Sequence, residues 1–518
     1  MAKIISRNPA TGETLKELET TPSESLSGIM AKAKTAQEKW AAMRPKERAQ
    51  HLYSLREVII NRVDEISELI AKENGKPRFE AMANEIIPSV DLISFFAKRG
   101  PRALRDHKIP MVLMKHRSSR IQYWPLGVVA IISPWNYPFL LPMGEIVMAL
   151  IAGNSVVFKP SEVTPLIGLK IQELFEEAGF PDGVMQTIVG DGSLGAALIQ
   201  NKPAKIFFTG SVATGKKIMA AAAEHLIPVN LELGGKDAMI VLSDADLDYA
   251  TSAALWGGFS NSGQMCASVE RLIVHESIAK PFFEKLSEKM NKLTPRDKTS
   301  LDGDLGAVTF ENQKKVYEKH LSDARAKGAA FVTGGEFSAD RCALKPTLVT
   351  GTSIESTEIY NEETFGPVIA ATTFKTIDEA IEKANRSRYG LLASIITKDL
   401  ARAEQIAKRL EVGTVTINEV AYTAGLAETP WGGVKESGIG RSHSEAGLFE
   451  FVNSRHIHRP RSSALVFKSF WWFPYTPFQY ATFRSMIEMY RRSWFGKLKA
   501  LPHFLWNFVQ FMKNEKRL

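Results

Sequence analysis

The chain has 518 residues, 44% hydrophobic and 24% charged, with a formal net charge of +8. That length exceeds one ordinary core, and the composition is globular, which excludes disordered, fibrous and membrane-spanning classes. Its two cysteines, Cys266 and Cys342, exclude a disulfide scaffold and a cysteine-rich metal centre, and they suit a reducing compartment.

The charge is unevenly placed. Residues 459–518 carry 11 Lys and Arg against two acids and hold 16 of the 48 aromatics, while the rest has 54 basic and 55 acidic residues. The positive charge therefore belongs to an appendage, and a neutral body without a binding motif argues against nucleic acid. The start, MAKIISRNPATGETL, has no apolar signal region, so a cytoplasmic location is expected.

In the first 100 or so residues Leu52, Leu55, Val58, Ile59, Ile66 and Leu69 recur at helix-face spacings. From residue 126 short β-branched runs alternate with helical ones. Strands are predicted at Val128–Ile132, Ser155–Phe158, Val184–Val189, Lys205–Phe208 and Val229–Leu233. The intervening helices are Leu141–Ala152, Thr164–Ala178, Leu194–Gln200 and Gly215–Glu224. This alternation predicts an α/β fold with a parallel, doubly wound sheet whose ligands sit at the carboxyl ends of strands. A helix at Asp246–Phe259 and strands at Ala238–Leu242, Arg271–His275, Leu344–Val349, Val368–Phe374, Ala393–Thr397 and Gly413–Ile417 predict a second α/β domain.

The run Gly190-Asp-Gly192-Ser-Leu-Gly195 satisfies G-x-G-x-x-G between a strand and a helix. No acid stands near residues 210–215, where a ribose-binding carboxylate belongs, so a tight turn is favoured over a pyrophosphate site.

Candidate chemistry lies elsewhere. Cys266 sits in Asn261-Ser-Gly-Gln-Met-Cys-Ala-Ser268, small and polar, where Gly263 permits close backbone approach; an inert small hydrophobe is the competing reading. Glu232, in Leu231-Glu-Leu-Gly-Gly-Lys236, ends an apolar strand, which suits a general base of raised pKa against the alternative of a solvated loop acid. Asn136, in Ser133-Pro-Trp-Asn-Tyr-Pro138, offers an amide donor to an oxyanion from a loop stiffened by two prolines and Trp135. Lys159 and Glu162, in Val157-Phe-Lys-Pro-Ser-Glu162 with Ser161, can hydrogen-bond ribose hydroxyls. Gly210 and Ser211 precede a helix whose N-terminus can face phosphate.

Together PWNYP, FKPSE, FTGS, ELGGK, GQMC, EETFGP at 362–367 and PWGGVKESGIGR at 430–441 resemble the aldehyde dehydrogenase superfamily over residues 3–458. The resemblance implies Cys266 as nucleophile, Glu232 as base, and Asn136 with the Cys266 backbone N–H as oxyanion hole. It implies Trp135, Lys159, Ser161, Glu162, Gly210, Ser211, Glu363 and Phe365 as cofactor residues, with NAD as cofactor and NADP as the alternative. It also implies a variant Rossmann cofactor domain (1–106 and 126–231), a catalytic domain (232–448) and an arm (107–125 and 449–460) that builds homodimers or homotetramers. Trp431 stands where many relatives have Phe. The expected reaction is NAD(P)-dependent, hydrolytic oxidation of an aldehyde; CoA-acylating chemistry, a small semialdehyde as substrate, or a non-catalytic binding protein are the alternatives. Tyr137, Phe139, Met143, Met265 and Trp431 are candidate cavity lining, with core packing as the competing reading, while Arg271 and Arg120 have no predicted place.

Residues 461–518 lie beyond the resemblance. They start with Trp471-Trp-Phe-Pro-Tyr475 and end in a helical pattern, Leu498, Leu501, Leu505, Phe508 and Met512 stepping by three and four. The uncharged window Ala500–Met512 is too short to span a bilayer. An apolar face with Trp and Phe flanked by Lys and Arg suits the inner face of an anionic membrane, or packing on the body or a partner subunit. Membrane attachment would favour fatty or other apolar aldehydes.

Overall fold

The structure is a computed structural model that describes residues 2–466, 469, 471–473 and 475–515. The chain divides into two units, Met1–Arg105 with Gln122–Arg455, and Asp106–Ile121 with His456–Leu518.

The first unit contains two largely parallel sheets. One is built from β1 (Val128–Ile132), β2 (Ser155–Lys159), β3 (Met185–Thr187), β4 (Lys205–Thr209) and β5 (Val229–Glu232), in the order β5-β4-β1-β2-β3. Gly438–Ile439 pairs antiparallel with β5 and closes that edge. Every residue of β1 and β2 is buried, and the apolar runs Val128–Ile132 and Val156–Phe158 suit a sheet covered on both faces. The chain moves outward from β1 through β2 to β3, then returns to place β4 and β5 on the other side. The order thus reverses between β1 and β4, and the loops after these two strands flank a crevice.

The second sheet contains β6 (Asp237–Val241), β7 (Val269–His275), β8 (Ala330–Thr333), β9 (Thr347–Thr350), β10 (Val368–Phe374), β11 (Leu392–Ile396) and β12 (Thr414–Ile417). Its order is β8-β9-β10-β7-β6-β11-β12, with only the β8–β9 pair antiparallel. The four residues Leu233–Lys236 link the end of β5 to the start of β6. Carboxyl ends of the first sheet therefore meet amino ends of the second, and the segments carrying Glu232 and Cys266 converge there.

Some boundaries differ from the pattern. The run Leu344–Val349 becomes Thr347–Thr350, since Pro346 has no N–H to give a ladder. Strand β8 and the hairpin Lys3–Arg7 with Thr14–Glu19 gave little apolar signal because their side chains are mostly half-buried or exposed. The glycine run at 190–195 is a turn in which Asp191 caps the helix Gly192–Gln200 and accepts from the Ser193 N–H at 2.9 Å.

In the second unit His107–Ile109 pairs antiparallel with Ser119–Ile121, and the Arg461 guanidinium donates to the Lys115 carbonyl at 2.8 Å. Two helices follow. Pro477–Glu488 starts at a capping box of Thr476 and Gln479, and Trp494–Glu515 packs along it, Asn507 donating to Ser485 Oγ at 3.3 Å. Leu498, Leu501 and Leu505 remain 43–51% exposed, and Trp472, Phe473, Tyr475, Trp494, Phe495 and Trp506 are exposed more fully. Pro474 and the side chain of Met512, part of the expected pattern, lie outside the described residues. Among the described residues no helix is long and apolar enough to cross a membrane.

Asn154 ties together the amino-terminal edge of the first sheet, opposite the crevice. Its Oδ1 accepts from the Leu126 and Gly127 N–H groups at 2.7 and 3.0 Å, and its Nδ2 donates to Ala149 and Phe451 carbonyls at 3.0 and 2.8 Å. Asn154→Ala removes this partner from the Leu126 and Gly127 N–H groups and the Phe451 carbonyl and is expected to cost about 2 kcal/mol or more, read as a lowered urea midpoint.

Candidate active site

Cys266 lies between the helix Leu247–Phe259 and β7. The connecting segment passes through three successive left-handed residues, Asn261 (φ 50°), Ser262 (φ 55°) and Gly263 (φ 71°). A side chain at Gly263 would collide with the Gly366 carbonyl at 2.2 Å, so only glycine fits. Left-handed backbone costs roughly 1–2 kcal/mol at a non-glycine residue, and hydrogen bonds offset that cost here. Asn261 Nδ2 donates to the carbonyls of Asn136 (2.9 Å) and Gln264 (3.1 Å), Ser262 Oγ donates to Gly306 O (3.0 Å), and Gln264 Oε1 accepts from the Thr309 N–H (2.9 Å). The turn is rigid, and it presents a half-buried thiol.

Glu232 is the last residue of β5 and is buried, unlike a solvated loop acid. Both its carboxylate oxygens lack a hydrogen-bond partner among the described residues. A Cβ on Gly432 would lie 3.0 Å from Oε1, so the glycine leaves room for the carboxylate. Burial, and then the nearby Glu145, raise Glu232 well above the usual carboxylate range. Asn136 is buried and its Nδ2 donates one hydrogen to the Gln264 carbonyl at 3.1 Å, leaving the second for another acceptor.

Cys266, Glu232, Thr209, Leu141 and Leu233 line both of two cavities, which meet at these residues. One, of about 830 Å³, opens over the carboxyl ends of β1 and β4 and is lined by Trp135, Asn136, Gly210, Ser211, Gly234, Glu363 and Phe365. Ser211 caps the helix Val212–Ala223, accepting from the Thr214 N–H at 3.3 Å. Side chains at Gly210 and Gly234 would strike Phe208 and the Glu363 carboxylate at 2.5 and 2.3 Å, so backbone alone faces this space. Glu363 accepts from the Gly235 N–H at 2.9 Å, and burial pushes it up to about 8. Phe365 (φ 53°) stands edge-on to Trp135, ring centres 5.5 Å apart. Lys159, Ser161 and Glu162 continue along the same sheet edge at the end of β2 but do not line this cavity; the Lys159 ammonium is 3.6 Å from Glu162, and burial lowers its pKa.

The other cavity, about 810 Å³, is largely aromatic and aliphatic, with Tyr137, Leu140, Trp256, Met265, Tyr422 and Trp431 in its wall. No Lys or Arg is among its lining residues. Phe139 and Met143, candidates for this wall, are instead fully buried in the core. Arg271 is consumed by the Lys236, Lys383 and Ala384 carbonyls, and Arg120 pairs with Asp106 at 2.6 Å.

Several residues around the site carried no motif signal. Glu145 and His443 line the apolar cavity, Glu145 accepting from Ser442 Oγ at 3.2 Å. Burial moves Glu145 up to about 8 and His443 down to about 4, so both are mostly uncharged near neutral pH. Glu270 accepts from the Thr364 and Phe365 N–H groups at 2.9 and 2.7 Å and pairs with Lys236, which fixes the loop bearing Glu363. Lys76, Glu80, Asn84 and Glu85 brace the Asn136 and Cys266 loops. Their only signal in the chain is charge and amide on an otherwise apolar helical run.

A buried carboxylate that becomes a base and a thiol that adds to a carbonyl can share one substrate here, with an amide N–H for the developing negative charge. Burial beside Asp237, Glu363 and Glu232 raises the Cys266 thiol. Iodoacetamide labelling of Cys266 in the cofactor-free protein, followed by peptide mass spectrometry, is therefore expected to be slow at pH 7. It should climb about tenfold per unit through pH 9; a plateau by pH 8 would contradict the raised thiol.

The model of the aldehyde dehydrogenase family matches residues 2–457. A 4,4'-diapolycopene aldehyde oxidase from Methylomonas is 38% identical over 492 residues, covering 94% of this chain and 91% of the relative. A betaine aldehyde dehydrogenase from Cereibacter sphaeroides is 37% identical over 452 residues, covering 87% and 92%. The solved NAD+ complex of an aldehyde dehydrogenase from Bacillus cereus superposes with a TM-score of 0.85 at 32% identity, over 89% of this chain and 94% of that one. An unbroken family match over the body, and relatives above 30% identity across most of both chains, place this oxidoreductase in the aldehyde dehydrogenase family.

Proposed function

We propose that the chain oxidises an apolar, long-chain aldehyde to its carboxylic acid with NAD+, and releases the acid by hydrolysis. The observation that carries this reading is the meeting of the two cavities at Cys266 and Glu232, one apolar and the other backed by the cofactor-side residues. Cys266 Sγ adds to the aldehyde carbon as thiolate, and the carbonyl electron pair moves to oxygen, which accepts a hydrogen bond from the free Asn136 N–H. When bound beside Cys266, a nicotinamide dinucleotide would supply the hydride acceptor for that carbon. Glu232 then removes a proton from water as its oxygen attacks the thioester, the C–S bond breaks, and Cys266 leaves as thiolate.

The residues that would hold the dinucleotide fit it. Gly210, Ser211 and the following helix N-terminus offer backbone donors to phosphate, and Glu363 an acceptor to ribose. Trp135 and Phe365 would bracket the ring, and Lys159, Ser161 and Glu162 the adenosine ribose. A carboxylate at Glu162 repels a 2′-phosphate, which favours NAD over NADP.

Support for an apolar substrate comes from the largely aromatic and aliphatic wall of the cavity. Without a cation in that wall, a carboxylated semialdehyde has no partner. The Methylomonas relative bears on the same point. Its coverage of 94% of 518 residues is about 487, so its alignment reaches at least about 30 residues past Ile457, into the second unit. Faces of Tyr137, Trp256, Tyr422 and Trp431 favour a second reading, a quaternary-ammonium aldehyde held by cation–π contact. A kcat/KM series over acetaldehyde, hexanal, hexadecanal and betaine aldehyde decides between them. We expect at least a tenfold rise from acetaldehyde to hexadecanal without CoA, and a single NADH equivalent per site from Glu232→Gln. Betaine aldehyde as best substrate would select the second reading, and strict CoA dependence would replace hydrolysis by acyl transfer.

The proposal extends to residues 461–518 as a peripheral membrane contact, and to homodimer or homotetramer formation through the arm at 107–125 and 449–460. Exposed Trp, Phe and Leu side chains on a segment of strong positive charge match the chemistry of an anionic lipid interface. The full chain is expected to float with phosphatidylserine-containing vesicles at low salt, and a chain lacking residues 465–518 to stay behind. Full-length protein that stays with the soluble fraction at low salt, as the shortened chain does, would remove this part.

A further inference from the structure

A second network, away from the reacting groups, holds the Asn136 loop. Lys76 and Glu85 are fully buried and paired at 2.6 Å. The Lys76 ammonium also donates to the Asn136 carbonyl at 2.9 Å and lies 4.0 Å from the centre of the Tyr137 ring. Glu85 Oε2 accepts from the Phe139 and Leu140 N–H groups at 2.8 and 3.2 Å. The pair therefore grips the loop at the Asn136 carbonyl and again three and four residues after it. Asn74, just before Lys76, adds a third hold, donating to the Trp135 carbonyl at 2.9 Å.

The same run reaches the thiol loop. Glu80 accepts from the Asn261 N–H at 2.8 Å and from Ser260 Oγ at 3.0 Å, and Asn84 donates to Ser260 Oγ at 3.2 Å. Between them the helix widens into a π turn over Met82–Ile86. Glu80 and Asn84, four apart, share the side toward Ser260, while Glu85 is turned toward Phe139. π turns are rare and concentrate where function needs a side chain redirected.

We propose that Lys76 and Glu85 are positioning residues for acyl-enzyme formation: the buried pair fixes the backbone of Asn136 so that its amide and the Cys266 thiol close on one point. This rests on the assignment of Cys266 and Asn136 above. A charged pair is a costly way to fill a core, and an apolar pair could replace it without loss of stability. What an apolar pair cannot do is bind the Asn136, Phe139 and Leu140 backbone groups at once. Those contacts govern where the oxyanion donor sits, and small displacements of such a donor cost large factors in rate.

Either single substitution leaves an unpaired buried charge, so the informative variant is Lys76→Met/Glu85→Gln. In the full-length enzyme we expect kcat to fall at least 30-fold, with the pre-steady-state NADH burst slowed by the same factor. The NAD+ dissociation constant, the KM for aldehyde and the iodoacetamide labelling rate of Cys266 should stay within threefold. A role confined to stability would lower the melting temperature and leave the burst rate of the folded fraction unchanged. Asn74→Ser keeps both charges and should slow the burst three- to tenfold with the same labelling rate. A normal burst in both variants, or in Asn74→Ser if the double variant does not fold, overturns the proposal. Cys266→Ala is the control for the underlying assignment: full activity there would remove that assignment, whereas an inactive Cys266→Ala beside a normal burst in the variants removes only the role of the pair.

Discussion

The carbonyl oxygen of Asn136 is the acceptor on which the site depends. It receives Lys76 Nζ and Asn261 Nδ2, each at 2.9 Å, with Asn74 Nδ2 at 3.4 Å. These donors come from the N-terminal helical region and from the turn that bears Cys266, while Asn136 itself follows β1. One peptide group thus joins three segments separated by tens to hundreds of residues. Each donor is buried and shared with a second acceptor, Glu85 for Lys76, the Gln264 carbonyl for Asn261 and the Trp135 carbonyl for Asn74, so the contacts form one connected network. The left-handed turn at Asn261–Gly263 depends on the same contacts, because its strain is tolerated only while Asn261 and Gln264 are hydrogen-bonded.

Around that framework the cavity walls set the electrostatics. Glu232 and Glu145 are buried and Glu363 is half-buried, and for all three desolvation is the largest cause of a raised pKa. Carboxyl groups held this way are available as neutral donors or as strong bases, depending on which neighbour is ionised. His443 moves the opposite way for the same reason. The apolar cavity is therefore close to uncharged near neutral pH, although two carboxyl groups and an imidazole stand in its wall. That favours a substrate with little charge of its own, and a base strong enough to act once it loses its proton.

The second unit follows a different physical logic. The body hides its apolar side chains in covered sheets, whereas the helices Pro477–Glu488 and Trp494–Glu515 leave Leu498, Leu501, Leu505 and Trp506 open. Among the described side chains of these two helices only Gln479, Thr482 and Ala500 are buried. Helices of this composition gain stability from an apolar surface laid against them, and the concentrated lysines and arginines indicate the sign of charge that such a surface would bear.

The sequence by itself determined the alternation of strands and helices, the parallel sheets and the loops that carry Cys266, Glu232 and Asn136. Buried parallel strands must be continuously apolar, and ligand loops must follow their ends, so both leave a local trace. Short edge strands such as Ala330–Thr333 left almost none, because half their side chains face solvent. Charge composition likewise separated residues 459–518 from the body. Only the tertiary structure decided that Glu232 is buried, that Phe139 and Met143 belong to the core, and that Lys76, Glu85, Glu145 and His443 surround the site. Each of those outcomes depends on which distant segment covers a side chain. A lysine at position 76 has the same local pattern whether it is solvated or, as here, enclosed between Glu85 and the Asn136 carbonyl.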